Sequence, residues 1–542
     1  MRIVLHRPWL KDEGICGLEA DSGASLLHAV WLSGKTEPVP VCNGQGRCGN
    51  CRVRYLAQAP APCREEIERL GGDLIERGWR LACRRHVSDK TAPAGGGELH
   101  LELAKPHVRK KECQCPATAA AGGLEAGRRD RCVMAVDLGT TTIAWRMLRQ
   151  EDGTETAGGE YLNPQAGAGA DVVSRIGMAL QPDGARLLQN LVRRSLAECL
   201  AEAGRETECM VVAANTAMTE ILAGTSVHGL AGAPYTQSLH GHEVLSLEGL
   251  PPVYIPPLPA PFVGGDVAAG LAWLEKQQTR RPYVLADLGT NGEIALMTEE
   301  GRLFLTSVPL GPALEGIGLE CGAQAGDDVL TSFALGPFGI TGRTSSGEAA
   351  SASQSVALAG ISATGYLSLI EQLLNCGFLD AEGHFATKNS MPLAKRLAQN
   401  LDTSKAVPRF MVTETLWLSL LDIEEILKVK AAFSVALHSL LARAEIAPSS
   451  LASLNIAGAI GSHVLPGTLE RTGFVPRGMG AKVQGAGNTS LKGACLLACN
   501  IHAREELARL CRDAVLLEPA QDESFHEQYI SAMHFGWQPQ QA

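Results

Sequence analysis

The sequence predicts a multidomain α+β and α/β chain, with a small β-grasp domain, a tether of small residues, and a larger domain built from two similar halves. Three observations predict it. Cysteines 42, 48 and 51 share one glycine-rich loop, and a fourth, Cys83, follows well downstream. Residues 91–97 and 117–123 are runs of Ala, Gly, Thr and Pro that bury little surface and read as linker. A pattern of apolar strand, Asp-Leu-Gly-Thr turn and second apolar strand at 132–145 returns at 283–296, which points to a duplicated subdomain. The boundaries that follow are 1–88 for the first domain, 89–130 for the tether, 131–275 for the first half and 276–542 for the second.

Bulk properties narrow the class. At 542 residues and 45% hydrophobic content, two or more cores are expected and a disordered chain is excluded. The net charge of −10 is spread along the chain. The small basic clusters at 84–86 and 110–111 read as solvated surface, so no nucleic-acid partner is expected. The N-terminus meets charge too early for a secretory segment, and no run reaches the roughly 20 apolar residues of a membrane span. A cytoplasmic protein without a membrane partner is the expectation. Sixteen cysteines in a reducing compartment then favour metal ligation over disulfides for those at tight spacing.

In the first domain, Ile3–Leu5 and Cys51–Tyr55 alternate like strands, and Ser25–Trp31 reads as a short helix between them. Cys42, Cys48, Cys51 and Cys83 form C-x5-C-x2-C with a distant fourth thiol. Four thiolates, three on one loop and one from afar, suit a plant-type [2Fe–2S] cluster, although the first gap is one residue longer than the commonest form. Gly44, Gly46 and Gly49 allow the loop to curl and aim N–H groups at sulfur. A zinc site is the competing reading, but zinc ligands usually come as two close pairs. Cys16 and Cys63 fall outside the pattern and read as ordinary thiols. In the tether, Cys113 and Cys115 have no second pair nearby and read as incidental.

In each later hairpin, glycine lets the turn approach a phosphate while N–H groups and threonine hydroxyls donate to it. The candidate phosphate binders are Gly139, Thr140, Thr141 and Thr142 in the first turn, and Gly289, Thr290, Asn291, Gly292 and Glu293 in the second. The strand-end carboxylates Asp137 and Asp287 are the catalytic candidates, placed to hold Mg²⁺ through water. Cys495 and Cys499 share one face of a predicted helix, with Cys511 beyond, and read as helix core.

With these hairpins the sequence resembles the RNase H-like superfamily of actin, sugar kinases and heat-shock chaperones, whose two halves close on ATP. The segment 453–463 resembles its adenosine-binding turn, which implies that Gly458 and Gly461 lie against the nucleoside, and 485–494 resembles the segment that follows. A ferredoxin, a tether and this ATPase in that order resemble the reductive activators of corrinoid-dependent enzymes, over about residues 30–535. Supporting motifs are Asn163-Pro-Gln165, the run 169–176, Asn215–Met218, Phe262–Asp266, the run 311–316, the run 422–428, and 525–535.

The resemblance implies one-electron transfer from the cluster to the Co(II) corrinoid of a methyltransferase system, restoring Co(I) at the expense of ATP. It also implies an electron donor, whether ferredoxin, flavodoxin or reductase, and is compatible with a homodimer. The segment 360–365 lacks a cysteine expected there, and 318–326 also departs from the family pattern. Both bear on partner preference. Three other readings stay open: an ATP-dependent donor to another low-potential iron–sulfur enzyme, a small-molecule kinase with Asp266 as base, and a plain electron carrier.

Overall fold

The structure, a computed structural model, describes all residues except 11–13, 40, 43, 88–97, 106–110, 113–130, 338, 351–357, 387–391, 462–465, 519–521 and 538–542. It divides into two compact units, Met1–Ile255 and Pro256–Ala542. Cys113 and Cys115 lie outside the described residues.

The first unit opens with a five-stranded sheet. Its elements are β1 (Arg2–His6), β2 (Ile15–Glu19), α1 (Leu26–Trp31), β3 (Arg52–Tyr55), α2 (Arg64–Glu76), β4 (Trp79–Leu81) and β5 (Leu99–Leu103). The strand order is β2-β1-β5-β3-β4. β5 runs parallel to β1, with Ile3 opposite Leu99, and antiparallel to β3, with Val53 opposite Leu103. The core packs Ile3, Leu5, Val53, Leu99 and Leu101 against Leu26, Val30 and Trp31 of α1.

This corrects the first boundary. The tether expected from residue 89 contains the central strand of the preceding domain. The run Leu99-His-Leu-Glu-Leu103 alternates apolar and polar, so its three leucines face the core.

A seven-stranded sheet follows, built from β6 (Lys111–Glu112), β7 (Cys132–Leu138), β8 (Thr142–Arg149), β9 (Glu155–Leu162), β10 (Thr207–Ala213), β11 (Glu243–Leu245) and β12 (Val253–Ile255). Its order is β11-β12-β10-β7-β8-β9-β6. β6 also falls inside the expected tether and pairs with β9. Helices α3 (Val172–Ala179), α4 (Gly184–Ala203) and α5 (Thr216–Ala223) belong to this half. β7 is buried along its length apart from Asp137, which reads as a central strand covered on both faces.

In the second unit the elements used below are α6 (Gly265–Lys276), β13 (Tyr283–Leu288), β14 (Asn291–Met297), β15 (Leu303–Pro309), α7 (Ala363–Asn375), α8 (Leu420–Arg443), β16 (Ser453–Ala457), β17 (Val483–Gly487), α9 (Thr489–Cys499) and β18 (Val515–Leu517). The main sheet has the order β17-β16-β13-β14-β15-β18. It repeats the plan of the first half. Three antiparallel strands, β13-β14-β15, answer β7-β8-β9, and β16 runs parallel to β13 as β10 does to β7.

α6, which precedes the boundary expected at 275/276, packs against α9, where a Cβ on Gly270 would meet Thr489 Oγ1 at 2.8 Å. α6 buries nearly every apolar residue it has and so belongs to the second unit's core. Cys495 and Cys499 lie on α9, as expected, but are half-buried rather than in its core, whereas Cys511 is buried. Among the described residues no helix is long and apolar enough to cross a membrane.

Candidate functional site

The cysteine loop is shaped by its glycines: Gly44, Gly46 and Gly49 have φ of 77°, 77° and 74°, values that other residues rarely adopt. The four predicted thiols converge as two pairs. Cys42 and Cys48 form a side-chain hydrogen bond, as do Cys51 and Cys83, and charge on Cys48 bears on Cys51 and charge on Cys42 on Cys83. The Cys42 thiol is pulled down to about 5 by Cys48, against burial and with help from the N–H groups of Cys48, Arg47 and Gln45. The Cys48 N–H donates to Cys42 Sγ at 3.4 Å. Cys51 is held up by Cys83 and by burial, while Cys83 is lowered by its bond to Cys51.

Two arginines tie the loop to the scaffold. Arg69 donates to the Cys48 carbonyl at 2.9 Å and Arg84 to the Gln45 carbonyl at 2.8 Å. Beneath them, fully buried Glu66 accepts the N–H groups of Cys63 and Leu81, each at 2.9 Å, and pairs with Arg85. Burial raises the Glu66 carboxyl, but Arg85 and the two N–H groups outweigh it and leave the group below its usual range. α2 is thereby fastened to both sides of Cys83.

The first Asp–Gly–Thr turn joins β7 to β8, with Asp137 opposite Ala144. A Cβ on Gly139 would meet the Thr142 carbonyl oxygen at 2.7 Å, so only glycine fits this tight turn. Three buried side chains brace it. Asn163 Nδ2 donates to the Gly139 carbonyl at 2.8 Å and Asn215 Nδ2 to Thr140 Oγ1 at 3.1 Å. Arg175, 1% exposed, donates to the Thr140 carbonyl and, at 3.1 Å, to Gln165 Oε1. With these carbonyls engaged, Thr141 and Thr142 remain half-buried residues of the turn. Asn163, Arg175 and Asn215 stand in motifs visible in the sequence, but their bracing role depends on tertiary contacts that spacing does not reveal.

The second turn joins β13 to β14 in the other unit. Asp287 faces Glu293 across the pair, and Thr290 Oγ1 donates to Glu315 Oε1 at 2.7 Å. Leu310 and Gly311 donate their N–H groups to the Thr290 carbonyl at 3.1 and 2.9 Å, and Gly292 lies against Leu310. The N–H of Gly289 donates to the Asn291 carbonyl at 3.1 Å. Glu293 is buried and its carboxyl is raised well above the ordinary range, first by desolvation and then by the charges of Asp266 and Asp287. Among the described residues, Glu293 Oε1 has no hydrogen-bond partner.

Gly458, at the end of β16, has φ of 80°, and a Cβ there would lie 2.7 Å from Asp287 Oδ1. Gly461 follows in the same helical turn. The second unit thus gathers Asp287, the turn 289–293, Gly458 and Gly461, with Asp266 and Glu315 joining them. The first unit holds Asp137 and the turn 139–142. Where a cysteine was expected near 360–365, Ser362 instead caps α7, its Oγ accepting the Gly365 N–H at 3.1 Å.

Comparisons with known proteins agree with this order. Residues 132–279 match the family model for the RACo middle region, and residues 281–541 that for the C-terminal domain of RACo, the ASKHA domain. The chain is similar to the corrinoid activation enzyme RamQ of Eubacterium limosum, with 25% identity over 436 residues, covering 74% of this chain and 70% of that one. A shorter match, 36% identical over 67 residues, joins 12% of the chain to 15% of a component of the Na⁺-translocating NADH-quinone reductase of Chlamydia trachomatis. Among solved structures, a reductive activator for corrinoid, iron–sulfur protein superposes with a TM-score of 0.65 over 98% of both chains at 20% identity, which shows a shared fold. Two consecutive RACo domains, together matched over most of the sequence, place this chain in the RACo family.

Proposed function

We propose that the protein is an ATP-dependent reductive activator that passes one electron to the Co(II) corrinoid of a methyltransferase system and restores Co(I). The observation that carries this reading is one chain that holds both a two-by-two array of thiols and two Asp–Gly–Thr turns. Four sulfurs arranged as two pairs suit two irons with two ligands each, hence a [2Fe–2S] cluster held by Cys42, Cys48, Cys51 and Cys83. Asp137 and Asp287 would hold Mg²⁺ through water and phosphate, as oxygen ligands suit a hard cation.

When bound, the cluster supplies a one-electron carrier and the nucleotide supplies free energy. The chain's residues do the rest. N–H groups of 45, 47 and 48 stabilise negative charge on Cys42, and Arg69 and Arg84 fix the loop. The turns at Gly139–Thr142 and Gly289–Glu293 bind phosphate oxygens, and Gly458 and Gly461 admit the nucleoside. Reducing Co(II) is uphill from ordinary donors, and each 59 mV of mismatch for one electron costs about 1.4 kcal/mol. ATP offsets this only if its binding favours one conformation over another. A ferredoxin, flavodoxin or reductase feeds the electron, and the protein works in the cytoplasm.

The kinase reading draws on one observation, the carboxylates of Asp266, Asp287 and Glu293 acting on one another, which would furnish a base. The deciding experiment is the visible spectrum of a Co(II)-loaded corrinoid protein mixed anaerobically with this protein and a reductant, with and without Mg-ATP. A Co(I) band that needs ATP and vanishes in Cys48→Ala supports the activator. ADP formation that needs a small-molecule acceptor, without Co(I), supports the kinase.

A further inference from the structure

The iron–sulfur domain and the first nucleotide turn lie in the same compact unit, and packed residues run from one to the other. Two residues beyond Cys83, the Arg85 carbonyl accepts the Leu26 N–H at 2.9 Å, so the start of α1 hangs on the segment that carries the fourth thiol. α1 also packs on the turn Ala82–Arg84 itself. The other end of α1 packs on the short turn Pro164–Ala168. There the approach is close. A Cβ on Gly167 would lie 2.8 Å from Trp31 Cβ, 3.1 Å from the Trp31 backbone carbon and 3.2 Å from Leu32 Cδ2, so the fit depends on glycine at 167, while the Trp31 side chain, 4% exposed, holds α1 against its own domain's core.

The same turn is fastened to the phosphate hairpin. Asn163 accepts the Gln165 N–H through its side chain at 2.9 Å, donates from Nδ2 to the Gly139 carbonyl, and donates its own N–H to the Thr141 carbonyl at 2.8 Å. Gln165 accepts from Arg175, which holds the Thr140 carbonyl. Asn163 and Gln165 are fully buried, so the network is satisfied internally and cannot relax into solvent.

Contact by itself transmits nothing. A bias requires an element with two arrangements that both sites favour differently. Space for a second arrangement exists at this seam: a cavity of about 300 Å³ opens beside the contact, lined by Gly34 and Glu37 from the iron–sulfur domain and by Tyr161, Arg194, Glu198 and Cys199 from the other side.

We propose that Trp31 and Gly167 are positioning residues that couple the redox state of the iron–sulfur site to nucleotide occupancy of the Gly139–Thr142 turn. This rests on the functional reading above. A phosphate drawn onto the turn shifts the carbonyls held by Asn163 and Arg175, the Pro164–Ala168 turn moves with them, and α1 follows into or out of the seam. Coupling of this kind is reciprocal, so a nucleotide that shifts the cluster's potential must itself bind the two redox states differently.

The test uses the full chain with its cluster reconstituted, and measures the affinity of a non-hydrolysable ATP analogue with Mg²⁺ in the oxidised and dithionite-reduced forms. At least a threefold difference is expected, equivalent to about 28 mV in an EPR-monitored redox titration at 59 mV per tenfold. Trp31→Ala and Gly167→Ala are each expected to bring the ratio to one while the cluster spectrum and the affinity of the oxidised form persist. Trp31→Phe, which keeps an aromatic ring in the core behind α1, retains the difference. Equal affinities in both forms of the unaltered protein, or a ratio unchanged in the foldable variant of the two, would overturn the coupling. Failure to bind cluster or analogue in the unaltered protein would instead overturn the functional reading beneath it.

Discussion

Glu66 and Lys430 show what single buried charges do here. Removing one partner of a buried ion pair leaves the other uncompensated, at a cost of about 3 kcal/mol or more. Glu66→Ala is therefore expected to lower the melting temperature and to weaken cluster retention, since Arg85 and the N–H groups of Cys63 and Leu81 lose their acceptor. Lys430 in α8 donates to the carbonyls of Ala532 and Gly536, each at 3.1 Å, and burial lowers its ammonium to about 8. The unfolded chain then holds the proton more tightly, so this group makes stability rise with pH between about 8 and 10.5. Denaturant titrations across that window should show the rise in the unaltered protein and not in Lys430→Met. Asp422 works in the opposite sense. Burial raises its carboxyl to about 6, so its contribution is fully present below about 4 and is lost as pH climbs through 6. At the first turn, Gly139→Ala should abolish nucleotide binding by calorimetry, because the added carbon would sit 2.7 Å from the Thr142 carbonyl oxygen.

At the scale of elements, β5 decides what folds. A fragment ending at residue 88 lacks the strand between β1 and β3 and should remain unfolded by circular dichroism, whereas one ending at 105 should fold and take up a cluster. Legibility follows the same division. The cysteine loop and the Asp–Gly–Thr turns were readable because their chemistry is local, with ligands and turn residues a few positions apart. β5 escaped because the Ala- and Gly-rich stretch before it reads as the start of a tether, even though Leu99, Leu101 and Leu103 alternate as a strand should. α6 lies before the 275/276 boundary in sequence yet packs in the second unit, because a helix apolar on nearly every side gives no clue to which core will cover it. Asn163, Arg175 and Asn215 meet one turn from three separate segments, and no spacing rule joins them. Glu315 is equally remote from Thr290 in the sequence.

For the molecule as a whole, the two kinds of chemistry should be separable by mutation. Asp287→Asn is expected to remove ATP hydrolysis, measured as phosphate release, and leave the visible spectrum of the cluster unchanged, because Asp287 and the four cysteines lie in different compact units. The converse holds for Cys48→Ala. A variant that lost both together would contradict this division. The order of β5 in its sheet has a further consequence, for biogenesis. The middle strand of the iron–sulfur domain is the last of its strands to leave the ribosome, and it pairs in parallel with the first, so the sheet cannot close while residues 99–103 remain in the exit tunnel. All four cysteines are synthesised before that moment. The four cysteines are thus made before their scaffold is finished, and a cluster held by them would be seated only once residues 99–103 have paired.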